Sequence, residues 1–268
     1  MIPSPADPVA FTLLGISVRW YALFILAGIF LGLMLSRWIA ARRGLDRDFP
    51  LDLAPIVVIT GIVCARLAYV LVRGSYFLEQ PAEILNVRGG GLAIHGALIG
   101  GAVATIILCR RRGQSVLVWA DILVAGVALG QAVGRWGNWA NQEAYGRPTS
   151  GWWGLQIDAS RRLPGFESFS TFHPTFLYES VLNALNAAVL TWIALRIRPR
   201  GPMLPGFGLG VYLANYGLIR LLTESVRIDS LKVGPLPGAT WVSLLFVITG
   251  IWFSFSRWSR NSGALGNV

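Results

Sequence analysis

The chain is poor in charge and poorer still in acid. Of its 268 residues only 13% are charged, with 13 acidic side chains against 23 basic ones and a formal charge of +10. Only one basic residue, Lys232, is a lysine; the others are arginine. A soluble surface carries a far denser mixture of both signs, so a freely soluble domain is excluded. Cysteine is scarce as well. Cys64 lies within one apolar run and Cys109 at the end of another, which excludes a disulfide framework, and lone buried thiols are ordinarily inert. The two histidines, His95 and His173, fall in different segments without a cysteine or carboxylate grouping, so no metal and no cofactor is expected. The opening MIPSPADPVAFTLLGISVRW has three prolines and no basic stretch, and is not expected to act as a cleavable signal peptide. No internal repeat is visible, which disfavours inverted-repeat transporter architectures.

What the chain does have is apolar length: 54% of it is hydrophobic. A window of about 20 apolar residues, the length that crosses a bilayer, picks out seven candidate spans near 18–40, 54–72, 91–109, 116–134, 176–195, 206–225 and 239–256. The expectation is an all-α polytopic integral membrane protein with seven transmembrane helices, forming one transmembrane catalytic domain over 1–268. Compact arginine clusters follow the odd-numbered spans: Arg42, Arg43 and Arg47; Arg110, Arg111 and Arg112; Arg196, Arg198 and Arg200; Arg257 and Arg260. By the positive-inside rule these mark the cytoplasmic face, with the N-terminus outside and the C-terminus inside. Anionic lipid, not nucleic acid, is the expected partner of the positive excess. One long connection, 135–175, interleaves Trp, Phe and Ile with Gly and Pro, and reads as a small extracytoplasmic cap between spans four and five.

Polar residues inside apolar spans are expensive; a centred arginine costs roughly 2.5–3.5 kcal/mol on insertion scales. In span six, Tyr216, Arg220 and Glu224 recur at four-residue spacing and Arg227 follows three later. On a helix these share one face, either as a structural Arg–Glu–Arg ladder or as the wall of a polar cavity. Span three carries His95 among Gly91, Gly96, Gly100 and Gly101. Such a histidine either bonds a neighbouring helix or serves as a general base, since an imidazole with a pKa near 6.5 accepts a proton at neutral pH. The stretch GRWGNWANQEAYGRPT, 134–149, follows span four directly. Arg135 and Asn138 are expected to point into the same cavity as the span-six arginines, and Gly134, Gly137 and Gly146 to let the chain turn close to a ligand. Two guanidinium forks at headgroup depth suit a phosphate. Trp136, Trp139, Trp152 and Trp153 read as an interfacial belt.

At these residues the sequence resembles the bacterial prolipoprotein diacylglyceryl transferases, whose signature G-R-x-G/A-N-F-x-N-x-E-x-x-G is matched at 134–146 with Trp139 in place of Phe. HGALIG at 95–100 is similar to the family's HGGLIG and HPTFLYE at 173–179 to HPSQLYE; RWY at 19–21 and YGLIRLLTESVR at 216–227 also fall in register. The similarity runs from about residue 7 to 256. It implies a multi-pass protein of the bacterial cytoplasmic (inner) membrane that moves the diacylglyceryl group of phosphatidylglycerol onto the lipobox cysteine of a preprolipoprotein signal peptide, forming a thioether and releasing glycerol phosphate. It also implies a substrate-binding set of Tyr21, Arg135, Asn138, Glu143, Gly146, Arg220, Glu224 and Arg227, and a catalytic set of His95, Arg135 and Arg220.

The alternative from another class is a permease for an anionic solute or lipid, using the same arginines as its binding site. An intramembrane serine protease is disfavoured because no G-x-S-x-G pattern accompanies His95, and a CDP-alcohol phosphotransferase because Asp121 stands alone in span four.

Overall fold

The computed structural model describes residues 1–5, 7–86, 90–197, 203–230 and 232–259. Arg198, Arg200 and Arg260, counted among the basic clusters, lie outside the described residues, as does the side chain of Lys232. The chain opens with a hairpin, β1 (Val9–Leu13) and β2 (Ile16–Arg19), leading into α1 (Trp20–Arg42). Then come α2 (Phe49–Val72), a short α3 (Gly74–Glu79), α4 (Ile94–Arg111) and α5 (Val116–Asn141). A compact insert contains β3 (Leu155–Gln156) and β4 (Thr171–Phe172). The chain continues through α6 (Thr175–Arg196), α7 (Phe207–Glu224), a hairpin of β5 (Lys232–Val233) and β6 (Leu236–Pro237), and α8 (Gly238–Ser259).

Six of the helices, α1, α2, α4, α5, α6 and α8, are long and apolar enough to cross a membrane. The seventh expected span is present as α7, but its 18 residues carry Asn215, Arg220 and Glu224, and it is not among the six. The fold is helical as expected, with three two-stranded sheets that the hydropathy pattern does not foretell. Leu26, Ile59, Leu98 and Ile248 are each more than 60% exposed, and a helix apolar all round is what hydrocarbon solvates.

The helices meet through small residues, because without a hydrophobic driving force close backbone packing is what lipid-embedded helices can gain. A Cβ added at Gly32 of α1 would lie 2.6 Å from the Gly126 carbonyl of α5. At Gly96 of α4 it would lie 2.3 Å from Cys64 O of α2, and at Gly250 of α8 it would lie 2.4 Å from Ala214 N of α7. Below these crossings Phe49 stacks on Trp119 at 4.3 Å between ring centres.

The described arginine clusters gather at one end of the bundle. Arg43 Nη2 donates to Ile197 O just past α6 (3.3 Å), Arg112 pairs with Asp52 at the start of α2 (2.6 Å), and Arg257 borders Gly206 at the start of α7. At that same end Asp121, fully buried, accepts from Gly206 N (2.7 Å) and Leu209 N (2.9 Å). It thus caps α7 from another helix and satisfies two orphan donors.

Residues 142–174 fold into a separate small core at the opposite end, with Tyr145, Leu155, Ile157, Phe172 and Phe176 buried together. The first residues of the chain lie along it: Ile2 N donates to Gly154 O (2.8 Å), Gln156 N donates to Ile2 O (3.0 Å), and Trp139 Nε1 donates to Pro3 O (2.9 Å).

Candidate active site

Three arginines from different places in the sequence converge on one carboxylate. Glu179, in the second turn of α6, has a side chain only 2% exposed. Its Oε1 accepts from Arg220 Nη1 of α7 (3.1 Å) and lies 3.8 Å from Arg227 Nη1, just beyond α7. Its Oε2 forms an ion pair with Arg135 Nη2 of α5, in contact but not aligned as a hydrogen bond. Arg220 Nη2 also donates to Glu224 Oε2, one turn on (2.6 Å). Arg227 grips Asp229 with both Nε (2.9 Å) and Nη2 (2.7 Å). Burial opposes the charge on Arg227, but the hydrogen bonds and charge of Asp229, with Glu179 and Glu224, outweigh it and raise its pKa above the ordinary arginine value.

A polar relay continues outward from Arg135. Its Nη1 donates to Asn138 Oδ1 (3.4 Å), and Asn138 Nδ2 donates to Glu143 Oε1 (2.9 Å), which also accepts from Asn141 Nδ2 (3.2 Å).

Local backbone structure sets these positions. The stretch after span four does not turn at Gly134 or Gly137, as its glycines led us to expect; α5 runs two further turns, to Asn141. The helix continues because Arg135, Asn138 and Asn141 find polar partners at that end of the bundle, which a hydropathy window cannot register. The turn is made by Gln142 and Ala144, both left-handed (φ 53° and 57°). Gln142 is held there by its own amide, which donates to Asp158 Oδ2 (2.7 Å) and accepts from Asp158 N (2.8 Å). Gly146 pairs antiparallel with Arg227. A Cβ there would meet Val226 Cγ1 at 2.8 Å and His173 Cβ at 2.9 Å, so glycine allows the cap to hold the Arg227 segment beside the start of α6.

Arg135, Asn138, Glu143, Gly146, Arg220, Glu224 and Arg227 are therefore brought together. Tyr21 stands on the first turn of α1 with its ring against Gly137, where a Cβ would come within 2.7 Å of Cδ2. Tyr216 turns away from the ladder and stacks with Tyr212 at 6.0 Å. His95 is exposed on the first turn of α4, and among the described residues its ring has no hydrogen-bond partner. Trp136 and Trp139 pack on Phe176 of α6 (5.4 and 6.4 Å between ring centres), wedging α5 against α6, whereas Trp152 is 80% exposed.

The residue missed from sequence is Glu179. Its signal was available: it is the sole charged side chain between Pro174 and Leu195, and a lone carboxylate in an apolar span needs a cationic partner.

Fold and cluster together define a multi-pass membrane protein with a buried arginine–glutamate hub at the end of the bundle away from its arginine clusters. The chain belongs to the prolipoprotein diacylglyceryl transferase family, which it matches over residues 8–256, and is thus a transferase. It is 42% identical over 237 residues to the phosphatidylglycerol–prolipoprotein diacylglyceryl transferase of Synechococcus elongatus, covering 88% of this chain and 82% of that one. The proteins of that name from Gloeobacter violaceus (41% identity; 92% of each chain) and Clostridioides difficile (38%; 91% and 93%) are similar over comparable lengths.

Proposed function

We propose that the arginine–glutamate hub binds the phosphate of phosphatidylglycerol while the diacylglyceryl group passes to the thiol of a lipobox cysteine. The observation that carries this reading is the convergence of Arg135, Arg220 and Arg227, from outside any single helix, on Glu179. Phosphate competes with Glu179 for the same guanidinium forks, so Glu179 keeps them gathered until the lipid arrives.

In the transfer, a lone pair of the thiolate sulfur forms the new S–C bond to the glyceryl carbon. The C–O bond to phosphate breaks, its electron pair stays on the phosphate oxygen, and glycerol phosphate leaves. Charge grows on that oxygen in the transition state, so Arg135 and Arg220 hold it more tightly there than in the bound lipid. A free thiol with a pKa near 8.5 is only a few per cent ionised at neutral pH, so its proton must be taken; His95 is the candidate base. Tyr21, Asn138, Glu143 and Gly146 shape the site, and Glu224 orients Arg220.

The same reading makes α7 a seventh span, held among neighbours that satisfy its charges. The end with the arginine clusters is cytoplasmic, and the hub and the 142–174 cap face outward across the bacterial inner membrane. Incubating the purified protein with phosphatidylglycerol vesicles and a lipobox peptide, then weighing the peptide, tests the proposal. A diacylglyceryl mass gain supports it. Lipid or solute flux with no change in peptide mass would support an anion permease instead.

A further inference from the structure

A polar cavity, about 370 Å³ in volume, opens beside the hub between the N-terminal hairpin, the end of α5, the cap and the segment after α7. That is at the small end of ligand-binding pockets, which run from roughly 300 to 1,000 Å³. Two of its lining residues belong to the hub's own supports. Glu143 accepts from Asn138, which in turn holds Arg135, and Asp229 takes the bidentate grip of Arg227. Asp229 is therefore neutralised by Arg227, while Glu143, bonded only to the amides of Asn138 and Asn141, keeps its charge and is the one carboxylate facing the cavity without an ion-pair partner among the described residues.

Arg19, the last residue of β2, and Arg161, in the cap, both line the cavity, and neither guanidinium has an ion-pair or hydrogen-bond partner among the described residues. Arg161 is fixed in place through its backbone: Tyr145 Oη donates to Arg161 O (2.9 Å) and accepts from Leu163 N (2.8 Å). The cavity's apolar lining is limited to Pro8, Ala144 and Leu163, which offers no path for acyl chains.

We infer that this cavity is the release site for the phosphomonoester product, with Arg19 and Arg161 receiving glycerol phosphate as it leaves the hub. The inference rests on the transferase reading and adds its exit step. Charge supplies the direction. The lipid's phosphodiester carries one negative charge, whereas a phosphomonoester, with a second pKa near 6, carries about −1.5 to −2 at pH 7. Two further unpaired guanidinium groups therefore favour product over substrate, and pull the leaving group toward water on the cap side.

The test is product inhibition. Initial rates of peptide lipidation are measured by mass, with phosphatidylglycerol vesicles and added glycerol phosphate, for the wild type and for Arg19→Gln, Arg161→Gln and the double variant. Both side chains are exposed, so the variants are expected to fold, and their thermal unfolding midpoints check this. The inhibition constant for glycerol phosphate should rise by about tenfold for each arginine lost, the scale of one charge-assisted hydrogen bond. The KM for phosphatidylglycerol should stay within about twofold, and Arg161→Lys should recover part of the inhibition. An unchanged inhibition constant in variants that still lipidate the peptide would overturn the exit site and leave the transferase reading standing. A raised KM for the lipid, or a defect that appears only with peptides bearing an acidic residue beside the cysteine, would overturn it in favour of a headgroup or peptide site. Failure of the wild type itself to lipidate would count against the transferase reading.

Discussion

Arg66 and Arg220 are both guanidinium groups carried inside apolar helices, yet they are held by opposite kinds of partner. Arg66 of α2 is spent on backbone: Nε donates to Ile84 O (2.8 Å), Nη1 to Gly90 O (2.9 Å) and Gly91 O (3.0 Å), and Nη2 to Glu83 O. It thereby ties down the connection that leads to His95, helped by Ala93 N donating to Ala65 O (3.0 Å). Arg220 instead spends its donors on the side chains of Glu179 and Glu224. A carbonyl fixed in a chain turn cannot move aside for a ligand without unfolding that turn, whereas a carboxylate on a flexible side chain can rotate away. Arg66 is consequently a structural arginine, and those of the hub can be shared with an incoming anion.

The sharpest way to break that contrast is to remove one arginine of each kind. Arg220→Ala should lower the turnover of peptide lipidation by a hundred- to a thousandfold, the cost of losing one preorganised donor to a developing oxyanion, while the protein still inserts; Arg135→Ala should behave alike. Lipidation near the wild-type rate in either variant would remove the phosphate-clamp role. Glu179→Gln should destabilise the bundle by about 3 kcal/mol, because three arginines lose their shared counter-charge. Thermal unfolding in detergent would show this, and an unshifted midpoint would mean that the hub does not need Glu179 to stay assembled. Arg66→Met should cost about 2 kcal/mol through orphaned carbonyls, yet leave the KM for phosphatidylglycerol within about twofold. A large rise in that KM would place Arg66 with the functional set and dissolve the distinction. Gly137→Ala should cost about 1 kcal/mol or more by overpacking against the Tyr21 ring, and a lipidation defect larger than the stability loss would reveal that the position of Tyr21 matters to the site. Smallest of all, Trp152→Ser should change stability by less than about 0.5 kcal/mol, since that side chain is 80% exposed.

The helices were legible because apolar length is a direct reading of bilayer thickness; all seven segments are present as helices, with ends that move by a few residues. The tail of α5 was not, since Arg135, Asn138 and Asn141 look like loop residues to any scale that ignores the partners waiting for them. The ladder of Arg220 and Glu224 was legible from four-residue spacing, and Arg135 and Asn138 from their density beside a span. The partners of Glu179, Arg66 and Asp121 were not legible, for a common reason. Each is a single charge in an apolar run, and its role is written in what faces it from another helix. The β3–β4 and β5–β6 pairs escaped because two-residue strands carry no periodicity to detect.

The N-terminal clasp has a consequence for biosynthesis. Ser4 Oγ bonds Gln156 O across a sequence separation of 152 residues, and Ile2 bridges Leu155. During synthesis the first residues must wait until α1 through α5 have emerged and the insert has been translated before they find their partner. Such distant pairings form late, because the intervening loop must close first. The 142–174 cap is accordingly fastened by a segment made 152 residues before its partner, and the fastening can close only once the cap itself exists.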